Sequence, residues 1–562
     1  MKHKSTRYIL GTLGITLLLI LLINGIAQFV PFRIDLTEEK RYSLHPSSIE
    51  ILQSLEEPLE VEILLSGNLP GGMRRLQRSI EETIKTFNSY SSEKISFYYE
   101  DPLSLPEGEQ KEYIFTLAEY GINPTNLFVT EDGERKSRMI FPGVVVRDAA
   151  YETGALVLKG EQGMSPDQIL NNSIENLEFE LIQAIKKLLR KQQYAVGILM
   201  GHGELDEEDG FGIVEALVDD HEVYKVPLEQ AKSVDDLNPF QVLIISGPKE
   251  AYTQREIYLL DQFLMRGGHL IFLLDALAYS MAEAGGEGTL AMPFEHGLDQ
   301  LLFRYGIRIN NDFIQDLNYG YYPVIAGKFG DQDQLVPLPW PFYIAAGRMA
   351  KHPITKGLDQ VMFRFASTMD TVKADGVTKT PLIFGSELSR KLAAPVRIAL
   401  QDMSKEPELE EFNLQKLPLL YLLEGNFTSF FKNRFLPEGM DNNNFKESGN
   451  TGKVLVASTG NLFKSSISVV DKTPLPLGKD PFQEIQYANR QLLQNAVNYL
   501  LEPEGVIASR TKQFQIRPLN KFKVKEEKSK WQILNIVLPL AFFGLLALVW
   551  IMFKQKTYGK IR

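Results

Sequence analysis

The segment Tyr194–Glu204 (YAVGILMGHGE) passes from an almost unbroken apolar stretch into a polar turn flanked by glycines. That is the pattern of a strand buried on both faces and ending at a loop. In open α/β sheets ligands sit beyond the carboxyl ends of such strands, which would place Gly201, His202, Gly203 and Glu204 at a contact edge. The alternation repeats downstream: apolar Phe211–Val218, strand candidates Glu222–Val226 and Gln241–Ser246, a helix, then a strand His269–Leu274 that ends at Asp275. Strands alternating with helices predict a parallel sheet covered by helices. The helix has readable ends. Thr253 and Glu256 have capping-box spacing, Ile257, Leu260 and Leu264 share one face, and Gly267–Gly268 can end it.

Upstream, the pattern predicts a helix near Ser47–Leu55, a strand Val61–Ser66 and a helix from Gly71–Gly72 with Met73, Leu76, Ile80, Ile84 and Phe87 on one face. Strand candidates follow at Ile95–Tyr99, Asn126–Val129, Met139–Val146 and Leu156–Leu158, then an amphipathic helix Leu177–Leu189. This is a separate small α/β domain. After Asp275 the pattern loosens into Gly- and Pro-rich loops such as Ala284–Thr289 and Val336–Phe342, among shorter pieces like Leu298–Ile307. Strand signals return at Lys453–Val456, followed by a helix at Arg490–Leu501. The expected fold class is therefore α/β, with one parallel-sheet domain interrupted by a long insertion at 276–450. No internal repeat of fixed period is present.

Two stretches are apolar on every face. Tyr8–Val30 and Trp531–Phe553 are each 23 residues without a charge. At helical rise each spans roughly 34 Å, enough for a hydrocarbon core of about 30 Å. The first reads as an uncleaved anchor or a signal peptide; its length and the lack of an A-x-A site favour the anchor. Lys2, Lys4 and Arg7 precede it, and Lys554, Lys556, Lys560 and Arg562 follow the second span. By the positive-inside rule both termini are cytoplasmic and the body between is outside, although the lysines at 521–530 pull the other way. The chain's net charge is −11, and the seven basic residues just named lie in ends without any acid, so residues 31–530 carry −18. Such a body repels nucleic acid. With no cysteine among 562 residues, disulfides, thiolate metal sites and cysteine catalysis are excluded.

Nucleotide and catalytic motifs are missing. Gly449–Lys453 (GNTGK) is too short for a phosphate-binding loop, and Gly201-His-Gly203 lacks the third glycine of a dinucleotide fingerprint. There is no G-x-S-x-G elbow, and seven histidines form no H-x-x-x-H pair. His202 and Glu204 therefore have three readings: a turn whose side chains satisfy backbone groups, a ligand contact, or a base with its orienter. Under the contact reading, alanine at either position should leave the fold nearly intact. Asp206–Asp209 is a solvated acidic loop or a cation site. Asp275 is a pocket residue or a cap.

The two spans, RIDLTEEKRYSL, GHGE, the block QVLIISGP to TQREIYLLDQFLMRGGHLIFLLD, PWPF (Pro339–Phe342), HPITKGL (His352–Leu358), LLEGNFTSFFKNR (Leu422–Arg434) and NRQLLQNAVNYLL resemble, in that order, the GldG family. That family is the gliding-motility-associated auxiliary, or substrate-binding, component of an ABC transporter, and the resemblance covers nearly the whole chain. It implies a periplasmic domain similar to class I glutamine amidotransferase or flavodoxin-like folds without the nucleophile, with a separate permease and ATPase as partners. It brings no catalytic residue, cofactor or metal, and it leaves the cargo or envelope partner unnamed. GHGE is a family-like position for ligand or partner contact. The implied organisation is a cytoplasmic end and span at 1–30, an α/β domain at 31–190, an amidotransferase-like domain at 191–505, a basic linker at 506–530, a second span at 531–553 and a cytoplasmic tail at 554–562. The location would be the bacterial inner membrane. The rival functions are a membrane-tethered amidotransferase-like hydrolase using His202 and Glu204, and a purely structural envelope docking protein.

Overall fold

The computed structural model describes Gly14, Leu18 and Leu22, residues 43–502 apart from 68, 132–133, 159–164, 190–193, 330–331, 441–443, 470 and 484, then Gly505 and residues 521–558. It divides into two compact units, Met1–Lys512 and Gln513–Arg562. Of the first expected span only those three helical positions are described; the rest of Tyr8–Val30 lies outside the described residues.

The first unit begins with helix α1 (Pro46–Gln53), strand β1 (Leu59–Ile63), α2 (Gly71–Phe87), β2 (Ile95–Tyr99) and α3 (Glu107–Glu119). Next come β3 (Thr125–Glu131), β4 (Glu134–Ile140), β5 (Gly143–Arg147), β6 (Glu152–Leu156) and α4 (Pro166–Leu188). Strands β2-β1-β5-β6 form a four-stranded sheet, and β3–β4 a separate hairpin. The stretch Met139–Val146, expected as one strand, is two: Phe141–Pro142 interrupts it, and Pro cannot donate to a ladder. One side of the sheet is covered by α2, through Leu76, Ile80, Ile84 and Phe87, and by α4, through Leu177, Leu181 and Ile185.

The rest of the unit is built on β7 (Ala195–Met200), α5 (Phe211–Leu217), β8 (Glu222–Pro227), β9 (Val242–Ser246), α6 (Gln254–Met265), β10 (His269–Leu273) and α7 (Asp299–Tyr305). There follow β11 (Tyr319–Phe329), β12 (Gln332–Ala346), β13 (Arg348–Met349), β14 (Val361–Arg364), β15 (Val377–Phe384), β16 (Pro418–Gly425), β17 (Lys453–Ala457) and α8 (Asn489–Leu501). Eight of these strands form one sheet in the order β13-β15-β16-β17-β10-β9-β7-β8. Strands β8, β7, β9, β10 and β17 are parallel, and in chain order they read 2-1-3-4-5, the flavodoxin-like winding. Side chains alternate between two cores: Leu243 and Ile245 of β9 join α6 and α7, while Val242 and Ile244 join α5 and α8. Fully burying each such side chain is worth about 1.5–3 kcal/mol.

Two expectations are corrected here. The sheet is mixed, because β16, β15 and β13 from the supposed insertion continue it antiparallel beyond β17. Residues 276–450 are thus partly sheet, not an excursion from it. Val336–Phe342, expected as a loop, lies inside β12, which pairs with β11 as a long ribbon. Residues two apart in a strand turn their N–H groups to the same side, so Pro337 and Pro339 strip donors from one edge only. Pro337 directly opposes Pro323, a pair that cannot exchange N–H bonds, so the stripped edge faces away from β11. Strand β14 covers that edge only from Tyr343 onward.

The second unit holds α9 (Lys521–Tyr558), with Pro539 inside it. Its segment Glu527–Met552 is 26 residues long and holds an 18-residue stretch with a mean hydropathy of 2.4 and no buried part, long and apolar enough to cross a membrane. The basic residues 521–530, expected as linker, are the first turns of this helix; 506–520 lie outside the described residues.

His269 begins β10 almost buried, its Nδ1 accepting the Lys453 N–H at 3.1 Å. Burial, and secondarily the Lys453 ammonium, hold its pKa down to about 4 from 6.5. Between those values the unfolded chain binds a proton that the folded chain rejects, so this contribution is complete above pH 6.5 and is lost as pH falls toward 4. The expected loss is on the order of 3 kcal/mol. Thermal melting from pH 7 to 4 checks it: His269→Asn, which keeps an acceptor for Lys453, should flatten the decline, and an unchanged slope would assign it to other groups.

Candidate functional site

Strand β8 lies on one side of β7 and β9 on the other, so the winding reverses across β7. The crevice outside the carboxyl ends of β7 and β9 is the switch point at which such sheets take ligands. The turn Gly201–Glu204 after β7 and the segment Gly247–Glu250 after β9 face each other there. The His202 carbonyl accepts the N–H groups of Lys249 at 2.7 Å and Glu250 at 2.9 Å, fastening the two loops together. Both turn glycines have positive φ, +119° at Gly201 and +68° at Gly203. A Cβ on Gly203 would also stand 2.9 Å from that of Lys249.

The polar side chains of this turn point inward. His202 and Glu204 are only 6% and 8% exposed. The His202 ring stacks on Tyr252 with centroids 3.9 Å apart and an interplanar angle of 14°. Its Nε2 is 3.2 Å from Glu256 Oε2, while Nδ1 has no hydrogen-bond partner and lies 3.5 Å from Glu204 Oε1. Glu204 accepts the His202 N–H through Oε2 at 2.6 Å and the Tyr252 hydroxyl through Oε1 at 2.5 Å. Burial, then the Glu204 carboxylate, pushes the Tyr252 hydroxyl well above its usual 10, so it stays a donor. Burial works to raise Glu256, but donors from Thr253 and the adjacent His202 ring outweigh it and the carboxyl is held low. Glu256 meanwhile completes the capping box of α6, accepting the Thr253 N–H at 2.8 Å. One carboxylate thus ties the helix start to the turn.

Asp275, just past β10, is also buried. Its Oδ1 accepts the Gly460 N–H at 2.8 Å, and its Oδ2 is 3.2 Å from Lys249 Nζ. Gly460 follows β17, and a Cβ there would stand 2.5 Å from the Gly247 Cα. All five sequence-named residues therefore lie on the carboxyl edge, but His202 and Asp275 are linked only through Lys249. Sequence reasoning missed Lys249 and Tyr252 and read Glu256 only as a cap. The available signal was GPKE directly after QVLIIS, a loop at the end of the neighbouring parallel strand. The acidic run is ion-paired: Glu207 with Lys225, and Asp209 with Lys464.

The switch point is thus filled by His202, Tyr252 and Glu204. What it shows to solvent is the glycine backbone with Lys249, whose side chain is 62% exposed, and the exposed Glu250. The chain thus has an α/β domain of flavodoxin-like winding whose switch point holds its own side chains. The chain belongs to the family described as an ABC-type uncharacterized transport system, whose pattern matches residues 193–496. Membership makes it an accessory, transport-associated protein, and the apolar α9 associates it with a membrane. A domain of unknown function matches residues 38–147. A Borreliella burgdorferi protein described as uncharacterized is 22% identical over 446 residues, covering 77% of this chain and 80% of its own. Two solved structures overlap at low scores. The N-terminal domain of mmIFT52 has 15% identity and a TM-score of 0.30, covering 55% of this chain and 96% of its own. A ThuA-like protein from Bacteroides uniformis has 12% identity and a TM-score of 0.28, covering 57% and 98%. Likeness at this level carries no argument, and the winding rests on the strand pairing alone.

Because His202 and Glu204 are buried partners, alanine there is not neutral, contrary to the contact reading. Glu204→Ala should strand the Tyr252 hydroxyl and the His202 N–H and cost about 1–3 kcal/mol. Gly203→Val, strained in φ and crowded by Lys249, should cost a similar amount, about 1–3 kcal/mol. Chemical denaturation of the variants measures both; wild-type stability in either would show that the turn is not held as described.

Proposed function

We propose that this chain is a non-catalytic accessory subunit of an ABC transporter complex, working beside a polytopic permease and a separate ATPase. Its body faces the periplasm and is held at the inner membrane by spans at 8–30 and 531–553. The observation that carries the reading is the filled switch point in a transport-family domain: the ligand position of the winding holds the chain's own side chains. Such an edge suits docking. In this reading Gly201, Gly203 and Lys249 form the contact surface for a partner or cargo, while His202, Glu204 and Asp275 hold its shape from behind. The flanking charges, three cations before the first span and four after the second, support the orientation. The absence of a phosphate-binding loop supports ATP hydrolysis by a partner. The link to gliding motility is supported by the resemblance of the ordered motifs.

Reporter fusions after residue 250 should read as periplasmic, and those after Arg562 as cytoplasmic; a cytoplasmic reading at 250 would sink the placement. Affinity purification of the full chain should recover an ATPase and a permease. Lys249→Gln, which removes the charge but keeps a donor for Asp275, should reduce that recovery several-fold and slow the gliding of its host, with melting nearly unchanged. Equal recovery with the variant would move the contact surface elsewhere, and recovery of neither subunit would remove the complex itself.

A further inference from the structure

At the other edge of the sheet a single buried carboxylate organises a second site. Asp261 in α6 is wholly buried. It accepts the Ser429 hydroxyl at 2.6 Å, the Phe430 N–H at 2.8 Å, the Tyr305 hydroxyl at 3.0 Å and the Gln262 amide at 3.1 Å. It thereby pins both α7, through Tyr305, and the turn at Ser429–Phe431. Arg304 adjoins Tyr305. Arg434 closes the turn, its N–H bonding the Phe431 carbonyl at 3.0 Å and its guanidinium lying 3.9 Å over the Phe430 ring.

Both arginines line one cleft of about 730 Å³. Its other cations are already engaged: Arg308 with Asp370 at 2.7 Å and Lys373 with Asp375 at 3.7 Å. Among the described residues no carboxylate pairs with Arg304 or Arg434. Phe303, 51% exposed, forms an apolar wall. Val377, also in the lining, pairs with Gly425 one position from the Glu424–Lys453 pair at the start of β17. The cleft therefore lies beyond the amino ends of the parallel strands, away from His202.

We propose that this cleft binds an oxyanion, carboxylate or phosphate, borne on a molecule with an apolar portion. Arg304 and Arg434 hold the oxyanion, and Phe303 covers the apolar part. A guanidinium stacked on a ring keeps its in-plane N–H fork free, the geometry that matches these anions. Asp261 fixes the backbone from which both arginines extend, and the Phe430 stack orders Arg434, so part of the ordering cost at binding is already met. In a body of strongly negative charge, four cations against two carboxylates make this lining an exception that draws anions.

Calorimetric titration of the full chain in detergent with inorganic phosphate, hexanoate and dihexanoyl phosphatidate separates a free anion from an amphiphilic one. Hexanoate or dihexanoyl phosphatidate should bind saturably and more tightly than inorganic phosphate, and Arg304→Ala or Arg434→Ala should weaken that binding about tenfold, while Lys405→Ala, outside the cleft lining, should not; saturable binding of inorganic phosphate alone would overturn the amphiphilic ligand. Arg434→Lys keeps the charge without the fork; it should still bind several-fold more weakly and decides the matter if Arg434→Ala melts early. No saturable binding of any probe up to about 10 mM, or wild-type affinity in folded arginine variants, would overturn the site.

Discussion

The parallel pairing of β7 with β9 is the constraint from which the rest follows. It places the first strand of the winding between the second and the third, buries β7 on both faces and brings two loops to the same point. A chain leaving a fully buried strand must turn sharply and satisfy its backbone at once. The glycines at 201 and 203 allow the turn, and the two bonds to the His202 carbonyl satisfy it. Neither loop could hold this shape without the other.

Buried carboxylates then set the two edges of the sheet. Removing such a group from water costs several kcal/mol unless donors surround it, so a buried carboxylate fixes whichever elements supply those donors. Glu204, Glu256 and Asp275 do this at the carboxyl edge, joining β7, β9, β10 and β17. Asp261 does it at the amino edge, joining α6, α7 and the turn after β16. A shared winding therefore ends in two different surfaces: a closed edge filled by its own side chains, and an open cleft lined by arginines.

What could be read from the sequence follows from which contacts are local. Strands β7, β9 and β10 are continuous apolar runs because they are covered on both faces, and α6 announces itself through Thr253 and Glu256. The antiparallel half was hidden. Val377–Phe384 (VTKTPLIF) shows no polar–apolar alternation and has a proline inside, and its place beside β16 is set by pairing rather than by any local signal. The candidate turn was visible, but the inward direction of His202 and Glu204 depends on Tyr252, some fifty residues on, across the switch point. Arg304 and Arg434 meet only because Asp261 gathers their two segments, and nothing in their spacing foretells it.

The β11–β12 ribbon carries large apolar side chains in the open, Ile325 at 58% and Leu335 at 41% exposure. An extended, apolar, unpaired strand is ordinarily a template on which further copies polymerise. Here the uncovered edge of β12 has lost alternate donors to Pro337 and Pro339, so an incoming backbone finds acceptors without their complementary N–H groups. The ribbon can therefore offer its faces to a neighbour through side chains while its backbone refuses to nucleate a fibre.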